Sequence, residues 1–104
     1  MATADPVLTQ FRAALDELYG DRIARVVLFG SRARGEASPD SDYDVAVFLK
    51  SLPDRWAELD RLAKLRVTFI DETGVFFEAL PYLATAYGDD SPLMHEIRRE
   101  GLEL

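Results

Sequence analysis

The chain has no cysteine, so neither a disulfide framework nor a thiolate zinc site is available to it. Its single histidine, His95, has no second histidine or cysteine to complete a metal centre and reads as structural or exposed. Positive charge is scarce: 12 Lys and Arg face 19 Asp and Glu, for a formal net charge of -7. Broad binding to nucleic acid takes most of its affinity from a basic surface, so direct nucleic-acid binding is disfavoured. A basic protein surface is the easier partner. No apolar run approaches membrane-spanning length, and Met1-Ala2-Thr3-Ala4-Asp5-Pro6 has no basic stretch leading into an apolar one. The expected location is cytoplasmic, away from any membrane. Internal repeats, low-complexity tracts and interdomain linkers are missing too. What is present is an ordinary globular balance, 48% hydrophobic and 30% charged over 104 residues, which predicts one folded domain spanning 1–104. A chain of this size has no room for a separate substrate-binding domain, so a second macromolecule would have to present any large acceptor.

Asp5-Pro6 reads as an N-cap followed by a first-turn proline, and Val7, Leu8, Phe11, Leu15, Leu18 and Tyr19 then recur at helical spacing up to Gly20. Residues 26–29 predict a first strand, 32–36 a short helix, 37–41 a polar loop and 42–49 a second strand. A long helix follows Ser51-Leu52-Pro53 and ends at Thr73-Gly74, with Trp56, Leu59, Leu62, Ala63, Arg66, Phe69 and Ile70 along one side. Asp54, Glu58, Asp60, Arg61 and Lys64 form its polar face. Trp56, Phe69, Phe76 and Phe77 are expected in the core. A third strand over 75–80 is closed by Pro81, 82–90 is an irregular connection, and Ser91-Pro92 caps a final helix that stops at Gly101. The result is an α/β fold with helices packed on a small sheet of three or slightly more strands.

Two places carry chemistry. Gly30-Ser31 turns the chain after the apolar run Val26-Val27-Leu28-Phe29, and such a turn offers backbone N–H groups and a hydroxyl to phosphate. Ten residues later Asp42-Tyr43-Asp44 opens the run Val45-Ala46-Val47-Phe48-Leu49, and strand alternation sends both aspartates to one side. Two carboxylates held side by side repel unless a cation separates them, and hard oxygen ligands suit Mg²⁺. Aspartate is also depleted in strands, so a pair at the mouth of an apolar strand is a local conflict of the kind functional sites explain. A site of two metals about 4 Å apart would activate an attacking hydroxyl and grip the leaving phosphates. The combination points to nucleotidyl transfer. Glu78, the sole acid within 75–80, is the candidate third carboxylate and could take the acceptor's proton. Its competing reading is an exposed edge-strand glutamate. Arg32 and Arg34 flank the turn and could neutralise a triphosphate, or pair with Glu36 and Asp40 at the surface.

Gly30-Ser31, ten residues, then Asp42-Tyr43-Asp44 resembles the signature of the DNA polymerase β-like nucleotidyltransferase superfamily. The size is similar to its minimal nucleotidyltransferase branch, often called MNT. The resemblance implies a polymerase β-like nucleotidyltransferase fold with a small mixed sheet, Gly30, Ser31 and Arg32 at the nucleotide, and Asp42, Asp44 and Glu78 on Mg²⁺, with ATP as donor. Glu78 stands where that family usually shows aspartate, one methylene shorter. The resemblance further implies an antitoxin that transfers AMP to a tyrosine of a helical HEPN ribonuclease toxin. Three alternatives stand beside it: a catalytically silent antitoxin of the same fold that inhibits by binding, a small-molecule nucleotidyltransferase, and an RNA-extending enzyme, which the acidic balance disfavours.

Overall fold

The computed structural model describes residues 5–104; the N-terminal reading at Met1 to Ala4 lies outside the described residues. The elements run α1 (Pro6–Tyr19), β1 (Ile23–Phe29), α2 (Ser31–Arg34), β2 (Tyr43–Leu49), α3 (Arg55–Thr73), β3 (Phe77–Leu83), α4 (Pro92–Glu100) and β4 (Leu102–Glu103), with 3₁₀ turns at Gly20–Arg22 and Ala84–Gly88. Capping fixes the helix starts: Val7 N–H donates to Asp5 Oδ1 at 3.0 Å, Ala57 N–H to Asp54 at 3.1 Å and Met94 N–H to Ser91 at 3.2 Å.

The sheet has the order β3-β2-β1-β4, with β1 antiparallel to both β2 and β4 and β2 parallel to β3. Strand β2 is therefore central and paired on both edges, which accounts for its apolar run being buried from Val45 to Leu49. Its odd residues face α1 and α3, where Leu8, Phe11, Leu15, Leu62, Phe69 and Phe77 close the main core. Phe11 lies flat on Phe77, ring centroids 3.9 Å apart, and meets Phe69 edge-on at 5.1 Å. Its even residues Ala46 and Phe48 face α4 through Met94 and Ile97 in a second cluster. Asp44 continues that even row beyond the cover of the cluster.

Three expectations need correction. Pro81 does not close the third strand but sits inside β3, opposite Val47; β3 is an edge strand, and on the open edge a missing N–H breaks no ladder bond. Trp56 is 81% exposed and Phe76 55% exposed. The buried row of α3 is Glu58, Leu62 and Phe69, and Trp56, two residues from Glu58, is turned about 200° away from it. Phe76 precedes β3 and has parity opposite to the buried Phe77. Glu58, assigned to the polar face, is only 3% exposed, held by Arg22 at 2.9 Å and Arg61 at 3.2 Å. The last helix does stop at Gly101, as expected, and β4 then adds a fourth strand beside Val27 and Leu28.

Candidate active site

At the end of β1, Gly30 takes φ +76° and ψ -158°, a conformation essentially confined to glycine. The turn lets α2 begin at once, with the N–H groups of Ala33 and Arg34 donating to the Gly30 carbonyl at 3.1 and 3.2 Å. It also brings the backbone against β2. A Cβ built on Gly30 would stand 2.4 Å from Asp44 Oδ2, so this carboxylate occupies the space a side chain would need. The glycine thus serves the aspartate as much as the turn.

Asp44 lies between Phe29 of β1 and Glu78 of β3 in register. Parity alone left open whether Glu78 faces the aspartates; the register pairs it with Asp44. Burial first, then the charges of Asp42, Glu78 and Glu96, push the Asp44 carboxyl above its ordinary value, while Arg34 works in the opposite direction. The charges of Asp42 and Glu78, the other two carboxylates proposed from the sequence, thus both bear on Asp44. The three carboxylates do not form a closed cage: among the described residues no group of three or more Asp, Glu, His or Cys is gathered to hold a metal ion. Glu78 Oε2 instead accepts from Arg66 Nη2 at 3.1 Å, and the same guanidinium donates through Nε to the Phe77 carbonyl at 2.6 Å. The half-buried Asp44 and exposed Asp42 supply the hard oxygens and excess negative charge that a divalent cation would relieve. Those two side chains would hold such an ion as a pair, while Glu78 is engaged by Arg66.

The two arginines of α2 part company. Arg34 reaches the α4 side, pairing with Glu36 at 2.7 Å and Glu100 at 3.3 Å, and it tempers the charge on Asp44. Arg32, expected at the nucleotide, instead donates to the Ser41 carbonyl and lies over the Tyr43 ring, 4.3 Å from its centroid. It lines a cleft of about 230 Å³ with Ser41, Tyr43, Gly74 and Phe76. Ser31 is half-buried at the first position of α2. Sequence reasoning missed Glu96. The available signal was its i,i+4 spacing to Glu100, which places both acids on one helical face. His95 is exposed and bonded to Asp90 at 2.6 Å.

A Gly-Ser turn set against the Asp-x-Asp mouth of the neighbouring strand, on a mixed sheet, is the arrangement of a nucleotidyltransferase. The chain belongs to that family: the nucleotidyltransferase domain description matches residues 8–93. A relative from Methanocaldococcus jannaschii, named "Putative protein adenylyltransferase MJ0141", is 24% identical over 98 residues, 94% of this chain and 95% of the relative. A second from the same organism, MJ1305, with the same description, is 40% identical over 60 residues, 58% of this chain and 40% of its own length. Among solved structures, a toxin–antitoxin crystallised with AMP-PNP superposes with a TM-score of 0.61 at 18% identity, covering 90% of this chain and 69% of that one. The toxin–antitoxin MntA-HpeT, in a mutant with two aspartates two positions apart changed to glutamate, gives 0.63 at 15% over the same shares. A nucleotidyltransferase structure from Sulfolobus solfataricus gives 0.60 at 15%, covering 93% and 75%. At these identities the structural likeness carries the fold, which is polymerase β-like.

Proposed function

We propose that this nucleotidyltransferase moves AMP from ATP, with Mg²⁺, to a hydroxyl on a partner protein, and that the partner is a HEPN-type ribonuclease toxin for which it serves as antitoxin. One observation carries the reading: Asp44, crowded by Asp42 and Glu78, is seated directly against the backbone of the Gly30-Ser31 turn. Carboxylates and phosphate turn thereby share one small volume. When bound, Mg²⁺ neutralises phosphate charge and acidifies the attacking hydroxyl. Asp42 and Asp44 hold the metal-nucleotide, the turn at Gly30 and Ser31 takes its phosphates, and Arg34 adds positive charge from the α4 side. The acceptor oxygen forms its bond to the α-phosphorus while the bond to the bridging oxygen of the β-phosphate breaks and pyrophosphate leaves. Glu78, released from Arg66, takes the hydroxyl proton. A protein acceptor agrees with the names of the relatives, and a toxin with the complexes found among the structural neighbours. The net charge of -7 favours encounter with a basic surface.

Intact-mass spectrometry of the partner, incubated with ATP and Mg²⁺ and either the parent chain or the Asp42→Asn, Asp44→Asn double variant, tests this. The expected result is a mass gain of one or a few AMP units with the parent alone, and loss of ribonuclease activity that follows the mass. A second reading has its own support in the Arg66–Glu78 ion pair, which occupies the third carboxylate: inhibition by binding alone. Ribonuclease silenced equally by both forms, with the partner's mass unchanged, would establish that reading and end the enzymatic one.

A further inference from the structure

We infer that Arg32 is a positioning residue that fixes Asp42 from behind through the Ser41 carbonyl; this rests on the reading of Asp42 as a metal carboxylate. Its guanidinium makes two bonds to that carbonyl, from Nε at 3.2 Å and Nη2 at 2.9 Å, and Nη2 also reaches the Pro39 carbonyl at 3.4 Å. Ser41 is bonded covalently to Asp42, so the cation grips the peptide that leads into the carboxylate. The grip is itself anchored. The guanidinium lies over Tyr43, whose ring is 7% exposed and stacked on Phe77 at 5.1 Å, and whose hydroxyl donates to Asp5 Oδ2 at 2.7 Å at the cap of α1.

The start of the connection is tied to α2 by Glu36, whose N–H donates to the Ser31 carbonyl at 3.0 Å, and its far part holds itself by local bonds, Ser41 N–H to the Ser38 carbonyl at 3.1 Å and Ser38 N–H to Ser41 Oγ at 3.0 Å. The local bonds fix the shape of the loop, whereas Arg32 fixes the place of its Ser41 end, next to Asp42, relative to α2 and the Gly30 turn. The Nε–Nη2 edge of the guanidinium is committed to these carbonyls, so it is not available for a two-bonded grip on a phosphate. Only a planar fork makes two bonds to one oxygen while stacking on an aromatic face, so lysine cannot replace it.

The test uses the full chain, Arg32→Gln and Arg32→Lys, with Mn²⁺ and ATP as probes. Hydrogen exchange of amides over 36–42, measured against those of β2 as an internal standard, should rise about tenfold or more in both variants. The Mn²⁺ concentration that half-saturates ATP binding should rise about tenfold as well, while ATP affinity without metal stays at the parent value. Arg32→Lys keeps an aliphatic stem over Tyr43 and carries the test if Arg32→Gln does not fold. Unchanged loop exchange would overturn the inference. So would a loss of metal-free ATP affinity that Arg32→Lys restores, because that result makes Arg32 a phosphate ligand. Failure of the underlying functional reading shows elsewhere, in the parent itself, as ATP binding indifferent to Mn²⁺.

Discussion

Replacing Gly30 by alanine asks whether the backbone approach to Asp44 is as close as the structure has it. Two costs are separable. The first is conformational: at φ +76° and ψ -158° a residue with a Cβ loses about 1–3 kcal/mol wherever it stands. The second is a collision, since the new Cβ would lie 2.4 Å from Asp44 Oδ2 and 3.3 Å from its Cγ, whereas the Asp44 Cβ, at 3.5 Å, is at ordinary contact distance. Relief requires the carboxylate to swing aside or β1 to shift, an overpacking cost of about 1–3 kcal/mol. Gly30→Ala should therefore cost about 2–6 kcal/mol in the parent, but only the conformational part in an Asp44→Ala background, where the clashing oxygens are gone. Urea denaturation of the four proteins of this cycle, in chelator at neutral pH, gives the coupling directly. Additivity within about 0.5 kcal/mol would refute the close approach. Parental stability in Gly30→Ala would refute the backbone argument itself.

Asp44→Asn keeps the shape and removes a charge that burial, Asp42, Glu78 and Glu96 make costly. A carboxyl raised above its unfolded value binds its proton more tightly in the native state, so stability falls as pH rises from the unfolded value through the native one. The variant should thus have the higher urea midpoint at neutral pH without metal, with the gap closing by about pH 3.5, below the unfolded value; a gap independent of pH would contradict the assigned cause. Glu58→Ala leaves Arg22 and Arg61 without their buried acceptor, and because those side chains are 32% and 49% exposed the expected loss is about 1–3 kcal/mol in a denaturation midpoint, below the full penalty of a sealed pair. A loss under about 0.5 kcal/mol would make Glu58 dispensable. Trp56→Ser should change stability by no more than about 0.5 kcal/mol given its 81% exposure, and a drop above about 1 kcal/mol in thermal or urea melts would return this tryptophan to the core.

Local chemistry was the legible part of this chain. Asp5-Pro6 and Ser91-Pro92 announced helices α1 and α4 because capping depends on neighbours in sequence. The unbroken apolar run after Asp44 announced a strand buried on both faces, whereas parity alone could not say whether Glu78 faced the aspartates, because that depends on the register of β2 against β3. Facts that depend on which element is outermost were not legible. Pro81 reads as a strand breaker until β3 is known to be an edge. Trp56 and Glu58 were exchanged because α3 carries apolar residues on more than one side, and composition does not say which side meets the sheet. Arg32 and Arg34 lie two residues apart on one turn of helix, and the sequence favoured Arg32 for the nucleotide without showing where either reaches; the short α2 sends Arg32 to the Asp42 loop and Arg34 to α4. Strand β4, two residues long, is too short to announce itself.

The outer rim of β3 has a consequence for how this molecule keeps company. Carbonyls at 77 and 81 point away from β2, and each is occupied by a guanidinium reaching around from α3: Arg66 on Phe77 at 2.6 Å, Arg55 on Pro81 at 2.8 Å. Proline contributes no N–H at the second of these places. An incoming strand would meet two occupied acceptors and one absent donor along seven residues, too little to continue a ladder. Crowded copies of this protein are thereby denied sheet-to-sheet stacking along β3, even with a phenylalanine and a tryptophan showing nearby.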